Sequence, residues 1–297
     1  MSKPYNNFTL VIQGPVHQNS VYGALNNYKD YTDNIIFSHW DNDKDKELLQ
    51  HLTYAEVPHW VVENKFEKAS FNIFNGQNVY YQIYTTLTGL KNVQTEYVLK
   101  LRSDQWFGNL EPMFKAVLKN ADKYTCANFH FRPDKFLKYH VGDKLIGGRT
   151  DNIKATFQKA LHRVQHNAQP LLAGAYMYDD NPQIATEELL NRDMKAYSYA
   201  NVQRVLATNY GQTPEVGTIQ ILPGGYIGTV AEILIGTSFL LSKGIYPDPL
   251  KSIEIVKDNF HIVRVEDMGP YVNKDGTNVI EHNAEEIHNI DQYGWHD

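Results

Sequence analysis

The stretch EYVLKLRSDQWFGNL (residues 96–110) begins as a buried strand and ends on a polar corner. Tyr97, Val98, Leu99 and Leu101 are residue types of a core strand. Arg102, Ser103, Asp104 and Gln105 follow at once, with Trp106 and Phe107 directly behind. In a mostly parallel sheet, ligands bind in the crevice beyond the carboxyl ends of the strands. A carboxylate delivered to that end by an apolar strand is therefore a candidate site residue.

The sequence on the amino-terminal side fits such a sheet. FTLVIQGP (8–15), NIIFSHW (34–40) and HWVVEN (59–64) are further apolar runs, each ending in polar or turn residues. Helix-length stretches separate them, at about 18–29, 44–55 and 76–91. In the last, Val79, Ile83, Leu87 and Leu90 recur at helical spacing. Strands alternating with helices predict an α/β fold with a mostly parallel sheet covered on both faces. Parallel strands put their carboxyl ends on one edge. Gln13-Gly14-Pro15, Ser38-His39-Trp40, Glu63-Asn64-Lys65 and Arg102-Ser103-Asp104 are thus expected to converge.

Beyond Asp104 the pattern loosens. TCANFHF (125–131) predicts a strand, and HVGDKLIGGRTDNI (140–153) holds another beside Asp143. Residues about 151–210 read as a polar, mainly helical insertion. ILPGGYIG is a glycine-rich turn leading into an apolar helix around Glu232. NFHIVRVEDMGPYVN predicts a last strand with a polar exit. The chain reads as one domain over 1–297, with a ligand-binding half at about 8–110 and an acceptor half at about 111–297.

Each candidate carries an alternative. Asp104 either holds Mg²⁺ or Mn²⁺ against a diphosphate or caps its turn and pairs with Arg102. Glu232, inside an apolar helix, is expected to have a raised pKa suited to a general base; otherwise it is a buried glutamate hydrogen-bonded to backbone or to an arginine. Asp143 competes with it for an acid/base or acceptor-binding role. His261, near the acidic VED corner, either completes a metal shell with Asp104 or is a core histidine. DNDKDKELL (41–49) alternates carboxylates like a calcium loop, but Lys46 stands where the sharp-turn glycine is required and Leu52 where the bidentate glutamate belongs. It reads instead as an acid-rich first helical turn. His162 and His166 fall on one helix face without the glutamate a metalloprotease needs.

Composition narrows the classes. The chain has 297 residues, 42 % hydrophobic and 21 % charged, with a formal net charge of -6 and no dense basic run. That disfavours nucleic-acid binding through phosphate neutralisation. A single cysteine, Cys126, excludes an internal disulfide. The amino terminus lacks an apolar stretch of signal-peptide length, and no segment reaches the roughly 20 apolar residues of a membrane span. A cytoplasmic location is the expectation. P-loop, dinucleotide G-x-G-x-x-G and G-x-S-x-G motifs are all missing from the sequence.

LVIQGPV, IIFSHW and NGQNVYYQIYTTLTGLKNVQTEYVLKLRSDQ, in that order and spacing, resemble the WavE lipopolysaccharide-synthesis family of glycosyltransferases. The resemblance covers about residues 8–155. HVGDKLIGGRTDNI is similar to the family's later Ser-Asp…Gly segment, with Gly142 in place of the serine. The resemblance implies a GT-A-type fold and sugar transfer from a nucleotide-sugar donor to a glycan acceptor. It implies that Gln13, Gly14, Pro15, Ser38 and Trp40 shape the nucleotide pocket, and that Arg102 and Asp104 manage the diphosphate. Trp106 and Phe107 would be wall or core beside the donor sugar. Only Asp104 remains of the family's usual Asp-x-Asp metal motif, since Arg102 stands at its first position. Glu232 as base would make the enzyme inverting. A sugar-nucleotide pyrophosphorylase and a non-catalytic glycan-binding scaffold are the competing readings.

Overall fold

The computed structural model describes residues 2–65, 76–128, 139, 142–166, 226–248 and 251–272. Nine strands run through them: β1 (Phe8–Gln13), β2 (Ile35–Trp40), β3 (Trp60–Asn64), β4 (Tyr97–Arg102), β5 (Gln105–Phe107), β6 (Tyr124–Ala127), β7 (Leu145–Arg149), β8 (Phe260–Val263) and β9 (Pro270–Val272). The helices are α1 (Gln18–Gly23), α2 (Lys29–Tyr31), α3 (Asp43–Tyr54), α4 (Gly76–Lys91), α5 (Glu111–Lys119), α6 (Thr150–His166), α7 (Tyr226–Ser242) and α8 (Ser252–Asn259). A π-helical turn, Ala24–Tyr28, joins α1 to α2.

Seven strands form one sheet in the order β3-β2-β1-β4-β7-β6-β8. β7 runs antiparallel to both neighbours, β4 and β6; the other four pairings are parallel. This mixed, mostly parallel sheet flanked by helices is the α/β architecture read from the alternation of elements.

Period-2 side-chain direction divides the core into two layers. Val11, Ile36, Val98 and Ile146 face α4, α6 and α7, meeting Ile83, Leu87, Phe157 and Phe239. Leu10, Ile12, Phe37, Leu99 and Leu101 face the other way, against Tyr28, Leu52 and Phe114. Leu99 is fully buried, so Leu99→Ala would cost about 2–5 kcal/mol. α4 comes unusually close to the sheet because Gly89 has no side chain. A Cβ there would lie 2.7 Å from Val11 Cγ1 and 2.9 Å from Ser38 Cβ.

Two expectations need correction. Gln105, read as the end of the polar corner, and the two aromatics behind it form β5, which pairs antiparallel with β9 in a separate ribbon. NFHIVRVEDMGPYVN is not one strand. β8 joins the main sheet, a 3₁₀ turn follows at Val265–Met268, and Gly269 in the left-handed region (φ 53°) redirects the chain into β9. The predicted insertion is helical over α6; residues 167–210 lie outside the described residues. So do residues 129–131 of the TCANFHF strand, whose described part is β6.

Candidate functional site at the carboxyl edge of the sheet

Pairing sets the four strand ends level. Gln13 is in register with Arg102 on one side and Ser38 on the other, and Trp40 with Asn64. Backbone bonds tie the exits together: Ser103 N–H to Gln13 O (3.0 Å), Gly14 N–H to Ser38 O (3.0 Å), and Asp41 N–H to Asn64 O (2.9 Å). The predicted convergence is therefore a geometric fact.

Alternation also selects which side chains line the site. Val98 faces α4, so Lys100 and Arg102 do too, as do Gln13 beyond Val11 and Ser38 and Trp40 beyond Ile36. α4 meets them with a polar stripe. Thr85 Oγ1 donates to Gln13 Oε1 (2.9 Å), Ser38 Oγ donates to Thr85 O (2.6 Å), and Asn64 Nδ2 donates to Ser38 Oγ (3.1 Å). The Trp40 ring lies edge-on to Tyr81 (5.4 Å between centroids) and parallel to Tyr84 (6.4 Å). These aromatics make a half-buried wall at the β2 exit.

The turn after β1 is fixed from both sides. Gly14 has φ 108°, and a Cβ on it would sit 3.0 Å from Ser103 Oγ. Ser103 Oγ donates to Pro15 O (2.5 Å), and Val16 N–H donates to Asp45 Oδ2 (2.9 Å). Asp45 belongs to the acid-rich start of α3, whose N-cap Asn42 accepts from Asp45 N–H (2.9 Å). Its carboxylate also meets His39 Nδ1 at 3.1 Å on the opposite face of the sheet. The acidic run is thus a helix start that braces the β1 turn.

At the β4 exit, Arg102 clamps Asp104. Nε donates to Oδ1 at 3.0 Å and Nη2 to Oδ2 at 2.7 Å. Burial alone would lower the Arg102 pKa, but Asp104 first, then Asp143 and Glu232, raise it above its ordinary value. Both oxygens of the expected metal ligand are engaged by a guanidinium.

Lys100, two residues earlier on the same face, is fully buried and donates to the Asp143 carbonyl oxygen at 2.5 Å. Burial brings its pKa down to about 8, opposed by the Asp143 charge and aided by Arg102. Asp143 is 1 % exposed and accepts from Gln82 Nε2 of α4. Burial by itself would raise its pKa; Lys144, Lys100, Arg102 and the Gln82 donor outweigh that and hold it well below the usual carboxylate range. Lys144 Nζ stands 3.7 Å from Glu232 Oε1 on α7. Burial lowers the Lys144 pKa, with Glu232 and Asp143 opposing the shift. Glu232 is therefore a buried carboxylate beside a lysine, not one isolated among apolar side chains.

The structure brings together Gln13, Gly14, Pro15, Ser38, Trp40, Arg102, Asp104, Asp143 and Glu232. It leaves His261 apart. His261 lies on β8, three strands from β4, or about 14 Å. Its register, through Thr125 and Gly147, is level with Leu99 rather than Asp104. Burial, with Lys123 and Lys119, lowers its pKa. His261 and Asp104 cannot share one ion. Phe107 is a core side chain at 1 % exposure, while Trp106 packs edge-on to Tyr22 of α1. Both support the corner from the helix side.

A divalent cation fits this corner poorly. Such ions at nucleotide sites take one or two carboxylates plus phosphate oxygens. Here the one carboxylate at the β4 exit would have to surrender a charge-assisted hydrogen bond, with a guanidinium remaining alongside. Among the described residues no group of three or more His, Cys, Asp or Glu side chains is arranged to hold a metal.

Residues missed by sequence reasoning are Lys100, Lys144, Gln82, Thr85, Tyr81 and Tyr84. One signal was present: a lysine inside the apolar run YVLKL must be buried or paired.

The WavE lipopolysaccharide synthesis family profile matches residues 8–200, which span this entire strand-end edge from β1 to β7. The chain belongs to the WavE lipopolysaccharide synthesis family. No curated protein matches the sequence. Among solved structures, this WavE-family chain is similar to TarS of S. aureus, with 14 % identity over 68 % of this chain and 42 % of that one, at a TM-score of 0.37. It spans less than half the length of TarS. It is also similar to the glycosyltransferase GlyE of Streptococcus pneumoniae TIGR4, with 14 % identity over 89 % of this chain and 75 % of that one, at a TM-score of 0.38. Neither superposition is close enough to assign chemistry. No helix among the described residues is long and apolar enough to cross a membrane.

Proposed function

We propose that the protein is a glycosyltransferase that moves a sugar from a nucleotide-diphosphate donor to a glycan hydroxyl. The observation that carries this reading is the convergence of four strand ends on one polar edge, within the region that matches the family. Gln13, Gly14, Pro15 and Ser38 form the floor of the nucleotide pocket. Trp40, with Tyr81 and Tyr84, offers a flat apolar surface to a base. Arg102, oriented by Asp104, faces the diphosphate.

Glu232 takes the proton of the acceptor hydroxyl. The acceptor oxygen forms a bond to the anomeric carbon as the bond to the diphosphate oxygen breaks, and that electron pair leaves on the phosphate. Attack from the face opposite the leaving group inverts the anomeric centre. Asp143, held ionised and anchored by Gln82, positions Lys144 beside Glu232 rather than exchanging protons itself. A cytoplasmic setting, where nucleotide sugars are made, suits this reading.

Thermal unfolding in the presence of UDP-, GDP-, CMP- and TDP-sugars tests it. A ligand that binds only the folded state raises Tm by mass action. One nucleotide class should raise Tm, and its free nucleoside diphosphate should do so as well. A response to glycans alone would instead indicate the scaffold reading.

A further inference from the structure

Leu101 and Leu145 are the last pair of the antiparallel β4/β7 ladder, and Arg102 and Lys144 are the residues just beyond it on the two strands. Each lies two residues from a side chain on the α4 side of the sheet, Lys100 and Ile146 respectively. The two like charges repel, and the Arg102 charge is one of the influences that lower the Lys144 pKa. These two cations also reach solvent, with side chains 21 % and 13 % exposed, whereas Lys100 is sealed beneath them. Arg102 spends two of its five N–H donors on Asp104, leaving the others for a further acceptor. Lys144 Nζ stands 3.7 Å from Glu232 Oε1.

Resting on the transferase reading above, we propose that Arg102 and Lys144 together bind the donor diphosphate and neutralise its leaving charge in place of a divalent cation. An anion between the two side chains relieves their mutual repulsion. The guanidinium fork suits two phosphate oxygens, and the ammonium serves as a movable point charge. Asp104 is a positioning residue, fixing the plane of Arg102 instead of coordinating metal. As the sugar–phosphate bond breaks, the electron pair passes to an oxygen already facing both cations.

The test titrates the wild-type full chain with UDP, GDP, CDP and TDP by calorimetry, in excess EDTA and again in Mn²⁺ or Mg²⁺. The proposal expects one nucleoside diphosphate to bind in EDTA, within about two-fold of its affinity with metal. Arg102→Ala and Lys144→Met should each weaken that binding about ten-fold or more, while Arg102→Lys and Lys144→Arg recover part of it. Arg102→Asp, which supplies a second carboxylate two residues from Asp104, should convert binding to a metal-requiring form. Binding by wild type only when Mn²⁺ or Mg²⁺ is present would overturn this inference and leave the transferase reading standing. Binding of none under either condition would overturn both. The EDTA comparison uses unmodified protein, so poor folding of a variant does not blunt it.

Discussion

The ammonium of Lys100 donates to the main-chain carbonyl of Asp143 at 2.5 Å, linking the centre of β4 to the turn that launches β7. That bond fixes the backbone just before Lys144, beside the β4 exit at Arg102. Because burial lowers the Lys100 pKa from 10.5 to about 8, the unfolded chain holds a proton there that the folded chain has released between those values. Stability from this group therefore rises with pH across about 8–10.5, by up to about 3 kcal/mol. Urea unfolding of wild type and Lys100→Met at pH 7.5 and 10 checks it. The stability difference between them should move in favour of wild type at the higher pH; parallel behaviour would contradict the buried charge.

Asp143 has the opposite sign. Its folded pKa lies below the ordinary 3.8, so its contribution is complete above that value and is lost as pH falls through the lowered one. Asp143→Asn should cost about 3–5 kcal/mol at pH 7, because it leaves buried cations less compensated. The gap between variant and wild type should narrow in acid. Unfolding curves at pH 7 and pH 3 make the comparison.

Gly14→Ala combines an unfavourable φ with a contact at Ser103 Oγ. It should destabilise by about 1–2 kcal/mol. It should also weaken nucleotide binding, since the turn it distorts carries the Pro15 carbonyl that Ser103 grips. An unchanged Tm would mean the turn relaxes without cost.

Glu232→Gln separates binding from chemistry. It keeps the shape of the side chain at 2 % exposure and removes the proton acceptor. Donor affinity should persist while transfer falls by about 10²–10⁴-fold. Equal loss of both would move Glu232 from base to scaffold.

Much of this arrangement was legible in the sequence because it follows from periodicity. The four apolar runs and their polar exits gave β1 to β4, and parallel packing required those exits to meet. The acid-rich start of α3 was also legible, since Lys46 and Leu52 ruled out a calcium loop. Pairing across β4/β7 was not. Which residue comes near Arg102 depends on the register of a strand more than forty residues away, so Lys144 carried no local signal. His261 misled for a related reason: nearness to an acidic turn in sequence says nothing about strand order. β5 and β9 are short strands that pair with each other, so neither alternates long enough to be read. Glu232 was recognised as a buried carboxylate, but its lysine neighbour arrives from another element.

The most direct measurement incubates the full chain with each nucleotide sugar and quantifies the released nucleoside diphosphate or monophosphate, with and without added glycan acceptor. The account predicts slow release from one nucleotide class to water, acceleration by a suitable glycan, and loss of both in Glu232→Gln. Intact donors throughout, from a folded protein that binds glycans but no nucleotide, would contradict it.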